Sequence, residues 1–306
     1  MRKRDFLTLF DLTSDELSGL LGRAEEIKNA GPDSGDRPLT DKSVGLLFEK
    51  ASTRTRVSFE VGIYQMGGQS IFLSPRDVHL SRGEPLTDTA RVLTRYLSAL
   101  VVRTFSHEVV EILAREANIP VINALTDLAH PCQALADLLT IKENTDRIEG
   151  TTIAYLGDGN NVANSLILGC SMMGLHLRLA CPEGYDPDTR FFQEGIRLAG
   201  SSGGSVKLLR DPGEACSGAR FIYTDVWASM GQEEEAEKRL MDLMPYQLNA
   251  HRLQDAAPGA MILHCLPAYR GKEITEEMID HPQSVVFDQA ENRLHTQKAL
   301  LEWLFK

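Results

Sequence analysis

The chain has 306 residues, 42% of them apolar and 25% charged, the proportions of a soluble globular protein with a sizeable core. At roughly 150 residues per domain, this length predicts two domains. Its 32 Lys and Arg stand against 43 Asp and Glu, a net charge of −11 that argues against general binding to nucleic acid or an anionic membrane. A local basic pocket remains compatible with that balance.

The start, MRKRDFLTLFDLT, is briefly basic, but its apolar stretch ends at Asp11, too short for a signal-peptide core. No run approaches the ~20 apolar residues of a membrane helix. Short β-branched runs then alternate with helical patterns, the signature of βαβ units and parallel sheets. In the first half the predicted strands are Val44–Phe48, Ser70–Leu73, Ala99–Val102 and Val121–Ile122. Leu86, Ala90, Leu93, Leu97 and Leu100 recur between them at helical spacing. The second half predicts strands at Thr152–Leu156, Leu177–Cys181, Val206–Leu209, Phe221–Tyr223 and Met261–His264. The polar stretch Lys142–Gly150 separates the two series. The expected fold is therefore α/β, two domains that each carry a mainly parallel sheet flanked by helices. Its expected division is 1–145 and 146–287, with an amphipathic C-terminal helix, 288–306, returning to the first domain. Five cysteines (132, 170, 181, 216 and 265) form no zinc-binding spacing, and their odd number fits free thiols in the cytoplasm.

Four clusters of chemically able residues fall at strand ends. Ser52-Thr53-Arg54-Thr55-Arg56 follows the first strand and precedes helical spacing at Phe59, Ile63 and Met66. Ser52 suits the N-cap, which places hydroxyls, guanidinium forks and free N–H groups at the positive end of a helix, a phosphate site in chemical terms. A capped surface helix with solvated arginines is the alternative. Arg103 closes the third strand, where open α/β sheets bind ligands. In His130-Pro131-Cys132-Gln133, Pro131 suits the first helical position and puts His130 and Gln133 at the helix mouth. There a histidine can donate to a developing oxyanion, and an amide can meet a carbonyl or amide group. In His264-Cys265-Leu266-Pro267, adjacent side chains on an extended strand point to opposite faces, so His264 and Cys265 form no dyad unless the strand bends. Cys265 is then either a buried inert thiol or a group that contacts substrate.

Together STRTR (52–56), HPCQ (130–133), HCLP (264–267) and the Asp225-Val226-Trp227-Ala228-Ser229-Met230-Gly231 segment resemble the aspartate/ornithine carbamoyltransferase family, and within it the branch acting on ornithine. The resemblance spans nearly the whole chain. It implies transfer of a carbamoyl group from carbamoyl phosphate to the δ-amine of L-ornithine, giving L-citrulline and phosphate, without cofactor, metal or covalent enzyme intermediate. By the same resemblance Ser52, Thr53, Arg54 and Thr55 hold the phosphate, and Arg103 bridges phosphate and carbonyl. His130 donates to the carbonyl oxygen and Gln133 meets the carbamoyl amide. Cys265, Leu266 and Arg293 complete that site, while Asn161, Asp225, Ser229 and Met230 bind the amino-acid end of ornithine. Thr55, Arg103, His130 and Cys265 are the expected catalytic set, and Arg56 is read as structural. A homotrimer or a multiple of it is implied as well. The chain departs from the family at His79, where members often place a glutamine in a loop that reaches a neighbouring subunit's site.

Three other readings compete. Gly157-Asp158-Gly159-Asn160-Asn161-Val162 follows a strand as a dinucleotide fingerprint should, but Val162 stands at its third glycine position. A two-lobed amino-acid binding protein leaves the Ser/Thr/Arg set unexplained. Carbamoyl transfer to putrescine, aspartate or an N-acylornithine is the nearer alternative within the family.

Overall fold

The computed structural model describes residues 3–31, 37–74, 83–227 and 235–306. The chain divides into two compact units, residues 1–135 with 293–306, and residues 136–292. The expected division at 145/146 lies beyond the end of the helix inside which the first boundary falls.

Unit 1 opens with α1 (Ser14–Ala30), started by a capping box in which Thr13 accepts from the Glu16 N–H and Glu16 reaches back to the Thr13 N–H. There follow β1 (Ser43–Phe48), α2 (Thr53–Gln65), β2 (Gln69–Leu73), α3 (Leu86–Leu93), β3 (Ala99–Arg103), α4 (His107–Glu116), β4 (Val121–Leu125) and the start of α5 (Pro131–Glu143). The four strands are parallel in the order β2-β1-β3-β4. Their apolar side chains join those of α3 and α4 in a core around Leu47, Leu100, Val102, Val110 and Val121. Full burial of such a side chain is worth about 1.5–3 kcal/mol.

Unit 2 continues with β5 (Thr152–Leu156), α6 (Asn161–Met172), β6 (His176–Ala180), α7 (Thr189–Ser202), β7 (Ser205–Leu209), α8 (Pro212–Cys216), β8 (Phe221–Thr224), α9 (Ala236–Leu243), α10 (Ala250–Asp255), β9 (Met261–His264) and α11 (Glu276–Ile279). α12 (Val286–Phe305) begins here and ends in unit 1. The five strands are parallel in the order β7-β6-β5-β8-β9. Each of the nine strands lies where the β-branched runs place it, β5 and β9 to the residue and the other seven with one or both ends shifted by one to three residues.

Both strand orders reverse direction once, between β1 and β3 in unit 1 and between β5 and β8 in unit 2. At such a reversal the connections leave to opposite sides and open a crevice beyond the carboxyl ends of the strands. The four residue clusters fall beside these two reversals.

Candidate active site

In unit 1 the carboxyl ends of β1, β3 and β4 are neighbours, and each delivers part of one cluster. Phe48 of β1 pairs with Arg103 of β3, whose carbonyl accepts from the Glu49 N–H at 2.8 Å. Past β1, Ser52 caps α2 from an extended backbone, its hydroxyl oxygen accepting from the Thr55 N–H at 3.2 Å. Thr53 and Arg54 occupy the first turn of α2, Thr53 exposed and Arg54 half-buried, while Thr55 is buried. Arg56 pairs with Glu60 at 2.9 Å and stacks on the Phe72 ring at 3.7 Å, so its guanidinium is already engaged within the chain. A cavity of about 670 Å³ beside this turn has Glu49, Ser52, Thr53, Arg56 and Phe72 among its walls.

Past β4, α5 begins at Pro131, and the His130 carbonyl accepts from the N–H groups of Gln133 and Ala134 at 3.1 and 3.3 Å. His130 and Gln133 are both buried. Arg293, on α12 and 3% exposed, donates to Gln133 Oε1 at 2.8 Å and to Thr55 Oγ1 at 3.2 Å. One guanidinium thereby ties the α2 and α5 mouths together across more than 150 residues of sequence. Burial first, then the charges of Arg293 and Arg103, hold His130 well below the ordinary imidazole value of 6.5. His130 is therefore neutral at pH 7, with one N–H to donate. Beside it the Cys132 thiol is pushed up to about 12 by burial and donates to the Asn123 carbonyl at 3.4 Å, an inert group. Buried Thr55, His130, Gln133 and Arg293 thus form, with half-buried Arg103, a cradle of two cations and three neutral polar groups.

In unit 2 the neighbouring ends are those of β5, β8 and β9. Asp225 follows β8 and is 5% exposed. Its Oδ1 accepts from the Val226 N–H at 2.7 Å and from Cys265 Sγ at 2.8 Å, and its Oδ2 accepts from Asn160 Nδ2 at 2.8 Å. Asn160 also caps α6, its Oδ1 accepting from the N–H groups of Val162 and Ala163 at 2.9 and 3.2 Å. Asn161, the expected contact, is the first residue of α6. The sequence offers the adjacent Asn160 and Asn161 amides to an amino acid, but Asn160 is not among the expected site residues, although an asparagine just ahead of an apolar helical run is a recognisable N-cap signal. Gly159 is required by a close approach of the chain to itself: a Cβ there would lie 2.3 Å from the Pro187 nitrogen. That packing, rather than a pyrophosphate, explains the glycine of the fingerprint-like loop.

Burial pushes the Asp158 carboxyl up to about 6, with Arg239 pulling it down and Asp225 raising it further. Arg239 donates to Asp158 and, at 2.5 Å, to the Trp227 carbonyl, fixing the chain just past Asp225. Cys265 is half-buried and faces Asp225, whereas His264 is fully buried. Asp225, His264 and Cys265 each place one possible metal-ligand atom within 4.8 Å of the others. These donors are already engaged within the chain, His264 through both ring nitrogens and Cys265 to Asp225. His79, Ser229 and Met230 lie outside the described residues.

Comparison with known proteins identifies the same two halves. Residues 4–143 match the carbamoyl-P binding domain of aspartate/ornithine carbamoyltransferases, and residues 149–304 match the Asp/Orn binding domain. The chain is 50% identical to an ornithine carbamoyltransferase of Syntrophus aciditrophicus over 303 residues, covering 99% of each protein. It is also 50% identical to a Pseudomonas aeruginosa protein named as the anabolic ornithine carbamoyltransferase, covering 100% of this chain and 98% of that one. Among solved structures, an ornithine carbamoyltransferase from Pyrococcus furiosus superimposes with a TM-score of 0.94 at 49% identity, covering 98% of this chain and 96% of the other.

Proposed function

The chain belongs to the aspartate/ornithine carbamoyltransferase family, and we propose that it transfers the carbamoyl group of carbamoyl phosphate to the δ-amine of L-ornithine, giving L-citrulline and phosphate. The observation that carries this reading is the cradle in which Arg293 of α12 and half-buried Arg103 meet buried Thr55, His130 and Gln133 beyond the carboxyl ends of β1, β3 and β4. An anion is the natural occupant of a site where two guanidinium groups meet a helix N-terminus.

In this mechanism Ser52, Thr53, Arg54 and Thr55 hold the phosphate, with Arg103 and Arg293 balancing its charge. The δ-amine lone pair attacks the carbamoyl carbon, and the carbonyl π electrons move onto oxygen. Thr55, Arg103 and neutral His130 donate to that oxyanion, and Gln133 orients the carbamoyl amide. Collapse of the intermediate expels phosphate, which takes up the proton lost by the amine. The attacking amine must be neutral. For an alkylamine near ~10.4, deprotonation at pH 8 costs about 3 kcal/mol. Asp225 pairs with the α-ammonium of ornithine, with Asn161, Ser229 and Met230 around the same end. Cys265 and Leu266 contact the reacting groups.

Synthesis of arginine is the setting this reading supports, in line with the anabolic name of the Pseudomonas relative. Among the described residues no helix is long and apolar enough to cross a membrane. All five cysteines are free thiols, which supports the cytoplasm as the compartment. Val57, Val61 and Tyr64 form an i, i+4, i+7 stripe along α2 and are 49, 37 and 80% exposed, an apolar face suited to a second copy of the chain. A homotrimer or a multiple of it would cover that stripe, and light scattering should then report at least three times the 33.9 kDa chain mass. The direct test of function is carbamoyl-phosphate-dependent citrulline formation by the purified protein. Absence of citrulline at saturating ornithine would reject the assignment.

A further inference from the structure

We infer that His264 is a positioning residue for the Cys265–Leu266 turn, acting through its Nδ1, and that Glu273 selects the tautomer that lets it do so. The inference deepens the reading above and rests on it for the role of that turn. His264 and Glu273 are both 0% exposed. The Leu266 N–H donates to His264 Nδ1 at 2.9 Å, so Nδ1 must carry a lone pair and the ring proton must sit on Nε2. Nε2 meets Glu273 Oε1 at 3.2 Å, an acceptor that stabilises that tautomer over the other. Glu273 Oε1 also accepts from the Tyr269 N–H, which closes the loop back on itself. From the other side, the His264 N–H donates to Gln289 Oε1 at 2.9 Å, and Gln289 Nε2 donates to Asp137 Oδ1 at 2.6 Å. The imidazole is therefore held at its backbone and at both ring nitrogens.

What it holds is an unfavourable turn. Leu266 sits at φ +56, a left-handed conformation that a side chain of this size rarely adopts without support. The bond from its N–H to His264 Nδ1 is that support. Because successive side chains leave an extended chain on opposite faces, His264 anchored inward turns Cys265 outward, with Sγ 2.8 Å from Asp225 Oδ1. The buried histidine thereby sets the two residues that, in the proposed reaction, face substrate. Neither His264 nor Glu273 need touch a substrate for this.

The two ring nitrogens can be tested separately. His264→Asn places an amide oxygen where Nδ1 stands, whereas His264→Gln reaches the Nε2 position and leaves the Leu266 N–H without its acceptor. Cys265 is the only cysteine of the five that is not buried, so its alkylation by iodoacetamide reports the turn independently of turnover. H264Q should lower kcat at least tenfold, raise the KM for ornithine and speed Cys265 alkylation about fivefold. H264N should recover kcat to at least ten times that of H264Q and keep alkylation within twofold of the parent. Calorimetric affinity for inorganic phosphate should stay within twofold in both. If H264Q does not fold, Glu273→Met removes the acceptor of the Nε2 proton at similar volume and should speed alkylation about threefold. Equal damage in H264N and H264Q, or unchanged alkylation in H264Q or E273M, would overturn the inference. A parent protein that makes no citrulline would instead reject the reaction, while the alkylation comparison would still decide the role of His264.

Discussion

The two units use one topology for opposite charges. Each is a parallel sheet whose strand order reverses once, and each gathers its polar residues at the carboxyl ends of three neighbouring strands beside that reversal. Unit 1 brings Arg103 and Arg293 to a neutral histidine and a helix N-terminus, whereas unit 2 brings neutral donors to the carboxylate of Asp225. Burial acts on both and shifts the titrating groups in opposite directions. It holds His130 low, reinforced by two guanidinium groups, and lifts Asp158 to about 6 against the pull of Arg239. The difference teaches that the fold fixes where polar residues gather, while the few residues after each strand end decide the charge of the group they form.

If that division holds, damage to the cation cradle should be seen in the chemical step. In the proposed mechanism Arg103→Ala removes an oxyanion donor and a phosphate anchor together, and such a donor is worth about 3–4 kcal/mol. Steady-state kinetics should show kcat lower by at least about 10²–10³-fold. Damage to the acidic side should appear first in ornithine binding. Asn160→Ala leaves Asp225 Oδ2 without its amide donor and should raise the ornithine KM about tenfold, the equivalent of ~1.4 kcal/mol. Calorimetric phosphate affinity should be unaffected by that change. A rise in phosphate Kd with N160A would break the division of roles.

The electrostatic contrast gives a pH prediction with a definite sign. Folding lowers the His130 pKa below its unfolded value near 6.5, so below that pH the unfolded chain takes up a proton that the folded chain refuses. Stability carried by neutral His130 is therefore complete above pH 6.5 and is lost as pH falls from 6.5 toward the folded value. Denaturant melts of the parent and His130→Gln should diverge less at pH 5 than at pH 7.5, and saturating phosphate should reduce the pH dependence of the parent. The smallest effect is local. Ser52→Ala removes the cap of α2 and should lower unfolding free energy by about 1 kcal/mol.

The strands, the helix starts at Ser52 and Pro131 and the cradle residues other than Arg293 were legible in the sequence because each follows from a local signal: a β-branched run, a capping hydroxyl, a proline at a helix start. Glu273 was not legible. It stands in a polar loop without periodicity, and a carboxylate is ordinarily exposed, so its full burial against His264 follows only from tertiary packing. Asn160 and Asn161 are adjacent and chemically identical, and the phase of α6 alone assigns the capping role to the first. Arg293 entered through family resemblance. Its bonds to Thr55 and Gln133 join segments 238 and 160 residues away in sequence, which no local pattern encodes.

The proposed function requires that the amine receiving the carbamoyl group belong to an α-amino acid held by Asp225. Initial rates of carbamoyl transfer from carbamoyl phosphate to L-ornithine, putrescine, N-acetylornithine and aspartate measure this directly. We expect kcat/KM for L-ornithine to exceed each of the others at least about a hundredfold, near 2.7 kcal/mol of discrimination. Turnover of putrescine or N-acetylornithine at a rate equal to or above that of ornithine would contradict it.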